Sequence, residues 1–353
     1  FQLGQWARAE KLFAQAAQQL PEIEDYLLVQ RLRALFADQR FNQVMQLYAD
    51  LKRRHRRSPF YQQLGNIEAD VALARKEYGK AAALYERSKR GRAHSWWTRL
   101  TSTYNIAYAH HQQGQHKSAA TAYHYMWLTH PYSFLARRAK GELKTLKRNH
   151  GIKEPRVTTS QLRRYAKKLY RARIYSRAQR AYGQLRWRLK GAERAKVDYK
   201  LAEIALRRRR YDEAQGILDK LKKRRGSIEP VDLASLQARI FSARGDYNAA
   251  IDQYIAITKL YPKTRTAKKG LYKAAWLAYD KRMVSRARQL WKRYLRNYSK
   301  NSYRGRSASW QLGFNAYLDR RYPEALSYFL PQTKLSKRYH TTALRALYWT
   351  ART

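Results

Sequence analysis

The residue types best suited to acid–base or metal chemistry are sparse in this sequence: nine histidines, and 25 Asp and Glu, against 75 Lys and Arg. Five histidines fall close together, at His110, His111, His116, His124 and His130. His110, His111 and His116 flank a predicted helix turn, a spacing that makes imidazole ligation of a metal conceivable. No carboxylate is spaced to complete such a shell, and the pattern His-Glu-x-x-His is missing. Cysteine is absent, which excludes disulfides and thiolate metal sites. The histidines are therefore read as solvated or turn-lining, and no metal or cofactor is assigned. The acidic residues give no catalytic pair either. Glu22, Glu24, Asp25, Asp212, Glu213 and Glu324 fall at helix starts or in turns, where they satisfy helix N-termini and pair with Arg. Phosphate-cradling Gly-rich loops do not occur. No catalytic residue is assigned.

Binding chemistry is better supplied. The charge balance is +50, and helix capping alone cannot require so large an excess. A field of that size recruits polyanions: nucleic acid, acidic lipid or anionic cell-wall polymer. Three basic runs concentrate it, at Lys52–Arg57, Arg207–Arg210 and Lys222–Arg225. Trp96 and Trp97 follow Gly91-Arg92-Ala93-His94 at a predicted helix start, where an indole is expected to be exposed. Interleaved aromatic and cationic groups suit stacking on bases or sugar rings. The candidate ligand-contacting residues are Trp96, Trp97, Arg53, Arg54, Arg207, Arg208, Arg209, Arg210, Lys222, Lys223, Arg224 and Arg225. Most other aromatics occupy repeat positions and are expected in the core.

The elements that must position these groups show in a recurring pattern. A small or basic residue is followed by an aromatic two positions on, Ala three later, and a bulky residue four later. It begins at Gly4, Gln39, Lys76 and Gly114, and resumes at Arg173, Arg209, Gly245, Arg282 and Arg320. The Ala-equivalent positions are spaced 35, 37, 38, 59, 36, 36, 37 and 38 residues apart. Two helices and two turns fill such a period, so the predicted fold is an all-α solenoid of about nine tetratricopeptide-like hairpins, curved or ring-like. The small Ala lets paired helices approach closely. Pro21, Pro131 and Pro262 fall where second helices should stop. Ser58-Pro59 reads as an N-cap opening the next helix.

The spacing of 59 marks an insertion: an extra helix over 132–148, then a joint near 149–158 between arms 1–148 and 159–353. Thr158 with Gln161 resembles a capping box. No apolar stretch is long enough for a transmembrane helix. Phe1 stands where an initiator Met would, and the last predicted helix has no partner after it. Both are expected of a chain that continues, at least past Thr353.

From about Val157 onward the chain resembles the superhelical domain of soluble lytic murein transglycosylases. The stretches that carry the resemblance are Ala205–Ala214, Ile255–Pro262, Ser309–Tyr317, Arg321–Ala325 and Ala343–Arg352. The last is similar to the family's Ala-Leu-Tyr-Trp-x-Ala-Arg segment, which precedes a lysozyme-like catalytic domain. Residues 1–148 share the generic repeat pattern. The resemblance implies a periplasmic scaffold that binds peptidoglycan and positions a catalytic domain absent from this chain. No Glu-Ser pair occurs, so no catalytic residue is carried over. Two other readings stand beside it: an adaptor of an envelope complex, taking protein partners through a concave face, and a basic helical-repeat protein binding nucleic acid. Base-reading repeats would show variable polar positions at fixed places in every unit, and that code is not found.

Overall fold

In a computed structural model, the structure describes residues 4–90, 95–224, 226–334 and 340–353. The expectations placed on Phe1, on Gly91–His94 and on Arg225 lie outside the described residues. Nineteen α-helices, and no strand, are found among those described. The chain divides into two compact units, Phe1–Arg173 and Ile174–Thr353. The first holds α1 (Trp6–Gln19), α2 (Glu24–Ala37), α3 (Phe41–Arg54), α4 (Ile67–Ala74), α5 (Tyr78–Arg90), α6 (Trp96–Gln112), α7 (His116–Thr129), α8 (Phe134–His150) and α9 (Thr159–Arg171). The second holds α10 (Tyr175–Trp187), α11 (Gly191–Arg207), α12 (Tyr211–Lys223), α13 (Pro230–Arg244), α14 (Tyr247–Leu260), α15 (Arg265–Asp280), α16 (Val284–Asn297), α17 (Tyr303–Leu318), α18 (Tyr322–Thr333) and α19 (His340–Arg352).

The recurring sequence pattern is the turn that makes each hairpin. Its first residue takes a left-handed backbone at all nine places: Gly4, Gly114 and Gly245 with φ of 72–92°, and Gln39, Lys76, Arg173, Arg209, Arg282 and Arg320 with φ of 57–62°. A helix ended by a left-handed residue closes with a bond from the N–H beyond it back to a carbonyl of the last turn. Such bonds run from Arg40 to Leu35, Glu77 to Ala72, Gln115 to His110, Arg210 to Ala205, Met283 to Ala278 and Arg321 to Ala316, at 2.8–3.0 Å. The residue after the turn starts a new helix on the aromatic of the pattern, as at Phe41, Tyr78, Tyr211 and Tyr322.

The Ala of the pattern is the point of closest approach. Val44, Ala81, Ala119, Ala178, Ala214, Ala250, Ala287 and Ala325 are all wholly buried. The bulky residue four positions later fills the groove beside it, as Tyr85, Tyr123, Leu218, Trp291 and Phe329 do. Burying such a side chain contributes about 1.5–3 kcal/mol. Most consecutive helices pack on one another, α9 packs on α7 rather than on α8, and first helices of successive hairpins touch, α11 with α13 and α13 with α15.

The insertion is a single helix, α8, followed by residues 151–158 without regular structure. The predicted capping box is present: Thr158 Oγ1 accepts from the Gln161 amide at 3.2 Å, and Gln161 Oε1 accepts from the Thr158 amide at 2.8 Å. The reading of Ser58-Pro59 needs correction. Ser58 Oγ accepts from the amides of Phe60 and Tyr61, but the chain then makes a short 3-10 turn, Tyr61–Leu64, and α4 opens at Ile67.

Candidate binding face of the second unit

The structure scatters the candidate residues that the sequence singled out. Trp96 and Trp97 open α6, 67% and 47% exposed, with their rings edge to face at 5.6 Å. Ser95 caps that helix by accepting from the Thr98 amide. Arg54 is held inside its own neighbourhood, donating to Asp50 at 2.7 Å and to Glu24 at 2.8 Å, while Arg53 stays open at 79% exposure. Lys222 donates to Gln237 Oε1 at 2.6 Å, Arg224 lies 3.4 Å from Asp198, and Lys223 is exposed. The run Arg207–Arg210 fans out around a turn. Arg208 donates to Gln179, Arg209 takes the left-handed turn position, and Arg210 pairs with Glu213 at 3.4 Å. Arg207 alone of the four lines the cavity described next.

That cavity, of about 680 Å³, lies between the first helices α11, α13 and α15. Three cations line it, one from each helix: Arg207, Arg239 and Lys273. Tyr272 and Trp276 form its aromatic wall, with Tyr254 reaching in from α14. Tyr272 is braced by a 2.9 Å hydrogen bond from its hydroxyl to Ser307. Arg239 is partly neutralised by Glu203, 2.7 Å away. Burial pulls the Glu203 pKa upward, but the hydrogen bonds from Lys200 and Arg239, and their charges, outweigh it and hold the carboxylate below its ordinary pKa. Lys273 has no such relief. Partial desolvation of its ammonium, and then the charges of Arg239, Arg207, Lys269 and Arg304, push its pKa down.

Trp276 also lines a second cavity, of about 410 Å³, with Trp310 of α17 and Arg345 of α19. The Arg345 guanidinium sits 3.6 Å over the Trp310 ring. The two cavities share Trp276, and cations and indoles line both, with one carboxylate, Asp280, in the first. Sequence reading missed Arg239, Lys273, Trp276, Trp310 and Arg345, because the recurring pattern was read on the second helices. The signal was available one helix away: Tyr272 and Trp310, and likewise Trp276 and Phe314, stand 38 positions apart, at equivalent places in successive first helices.

In the first unit the structure regroups the histidines. His110 is turned aside, its Nδ1 2.7 Å from Gln115 Oε1. His111 and His116 meet His150 from α8, with one ring nitrogen of each within 4.8 Å of the others. A carboxylate is also at hand: Glu142 lies 3.8 Å from His111 Nδ1.

No family model matches the chain, and no curated protein does. Among solved structures, yeast Tom70 aligns at 14% identity with a TM-score of 0.41, covering 99% of this chain and 86% of that one. RapI aligns at 11% identity and 0.42, covering 82% and 86%. The C-terminal part of a TPR repeat-containing protein from Cytophaga hutchinsonii aligns at 11% and 0.40, covering 80% and 99%. At these values none of them bears on what this chain binds.

Proposed function

We propose that this chain is a non-catalytic helical-repeat scaffold whose second unit holds an anionic polymer strand against the first helices. The observation that carries this reading is the cavity where Arg207, Arg239 and Lys273 converge beside Trp276. Three cations converge there, Arg239 paired with Glu203 and Asp280 the one acid in the lining, and with Lys273 held below its ordinary pKa the face gains by accepting an anion. Flat indole and phenol faces beside those cations suit a ligand with rings to stack, such as sugars. An anionic glycan meets both conditions. The stretches similar to murein transglycosylases lie in the same half of the chain, so peptidoglycan, with carboxylates on its peptide stems, is the proposed ligand. On this reading the chain works in the bacterial periplasm and positions a catalytic domain supplied beyond it.

The test is co-sedimentation of the purified chain with peptidoglycan sacculi across a salt series, with RNA and an acidic peptide as competitors. Binding should weaken steeply with salt. The double variant Lys273→Gln, Trp276→Ala should lose about tenfold or more in apparent affinity, while Trp96→Ala, Trp97→Ala should bind as the parent does. Binding to RNA alone would overturn the reading. Displacement by the acidic peptide, with no retention on sacculi, would favour a protein adaptor, since the same cations would serve an acidic segment of a partner.

A further inference from the structure

α7 packs against both α6 and α8, and the C-terminal end of α6, the N-terminal end of α7 and the C-terminal end of α8 meet at one place. Each contributes a histidine there: His111 from the last turn of α6, His116 as the first residue of α7, and His150 as the last residue of α8. The meeting is held by backbone devices. Gly114 takes the left-handed turn between α6 and α7. Gly151 takes the same conformation after α8, with its amide bonded to Lys147 O at 3.1 Å, and Ile152 packs back onto the core. These fix the Cα positions of all three histidines from both sides.

The imidazoles are close and poorly satisfied. The His116 and His150 rings stack with centroids 3.7 Å apart, and His111 meets His116 edge to face at 5.9 Å. His116 Nδ1 is buried and has no hydrogen-bond partner among the described residues. A protein seldom leaves a buried ring nitrogen unpaired without a use for it.

We propose that His111, His116 and His150 form a binding site for a divalent transition metal ion of the zinc class, clamping α6, α7 and α8 together. A tetrahedral ion at about 2.0–2.1 Å from each nitrogen needs ligand atoms somewhat over 3 Å apart. Separations within 4.8 Å are brought to that by side-chain rotation. His150, exposed at its helix end, is the ring free to swing out of the stack. Glu142 sits where a carboxylate would orient the His111 ring through Nδ1. Neutral imidazoles favour zinc, copper, nickel or cobalt, and give nothing to magnesium or calcium.

Cobalt(II) and zinc are the probes. Equilibrium dialysis of the full chain should show one equivalent of Co²⁺ bound with the visible absorption of a four-coordinate ion, displaced by Zn²⁺ and untouched by millimolar Mg²⁺. His116→Gln and His150→Gln should each weaken binding by about tenfold or more, and Glu142→Gln by a smaller factor. His110→Gln and His124→Gln should bind like the parent. His150 is exposed, so its variant should fold normally, as circular dichroism will check. Zn²⁺ should raise the thermal midpoint of the parent and leave that of His150→Gln where it was. Metal uptake that persists in both the His116 and His150 variants overturns the proposal, as does no saturable uptake at millimolar Zn²⁺.

Discussion

Two enclosed acids, one in each unit, are treated in opposite ways. In the first, Asp70 of α4 accepts a 2.5 Å hydrogen bond from the Tyr85 hydroxyl, which in turn accepts from Asn105 at 2.9 Å. Burial dominates, that hydrogen bond offsets it only in part, and the Asp70 pKa is pushed up to about 6. In the second, Glu203 of α11 is also enclosed but lies 2.7 Å from both Arg239 and Lys200, and its pKa falls. Burial alone does not decide the charge state of an acid; the partner does. Glu10 of the first unit is buried too and pairs with Arg31 at 2.7 Å, but around Asp70 the hydrogen bonds come from neutral groups. Asn66 shows the same habit, donating to Thr98 O and Thr101 and accepting from Ser88 and Ser102. The second unit places Glu203 beside Arg239, one of the three cations that line its cavity.

The comparison would break most sharply at Arg239. Arg239→Met should destabilise the second unit by about 2–4 kcal/mol at pH 7, because Glu203 keeps its burial and loses one of its two partners. Urea unfolding checks this. The loss should shrink on acidification, once the stranded carboxylate takes up a proton. A loss that does not change with pH would mean the pair contributes packing alone.

Asp70 should respond to pH with the opposite sign. A carboxyl whose folded pKa of about 6 lies above its unfolded value binds its proton more tightly when folded. Its contribution is therefore most favourable below about pH 4 and is lost as pH rises through 6. Asp70→Asn keeps an acceptor for Tyr85 and removes the charge. It should stabilise by about 1–2 kcal/mol at pH 7, after allowance for partial solvent access, and by nothing at pH 4. Unfolding of parent and variant at the two pH values would reveal it.

Smaller effects test the turns and cores. Arg320→Gly relieves a side chain of a left-handed backbone and should gain about 0.5–1 kcal/mol, whereas Gly114→Ala imposes that strain and should lose about 1 kcal/mol. Both read out as shifts of the thermal midpoint. Tyr123 is wholly buried, with a hydroxyl that finds no partner among the described residues. Tyr123→Phe should thus be neutral or stabilising by up to about 1 kcal/mol. A loss there would show that the hydroxyl is satisfied after all.

Much of the hairpin architecture was legible because it is local. A left-handed turn residue, an aromatic helix start, a contact Ala and a groove-filling side chain recur within ten positions, and each acts on its immediate neighbours. That is why Gly4 through Arg320 could be matched to nine turns, and why Thr158 and Gln161 could be read as a cap. Ser58-Pro59 misled because the same hydroxyl that caps a helix also closes a turn, and only the following residues choose between them.

The candidate binding face and the histidine cluster were not legible, for a different reason. Arg207, Arg239 and Lys273 sit on separate first helices, and their convergence depends on how those helices stack. His111 and His116 are near in sequence, but His150 and Glu142 arrive from α8, whose direction brings its last turn back to theirs. The sequence by itself determined the period, the turns and the small residues at each helix contact, because these follow from backbone preferences over a few residues. Only tertiary packing decided which cations share a cavity and which imidazoles share a point, because charge and coordination act between side chains that the chain holds thirty or more positions apart.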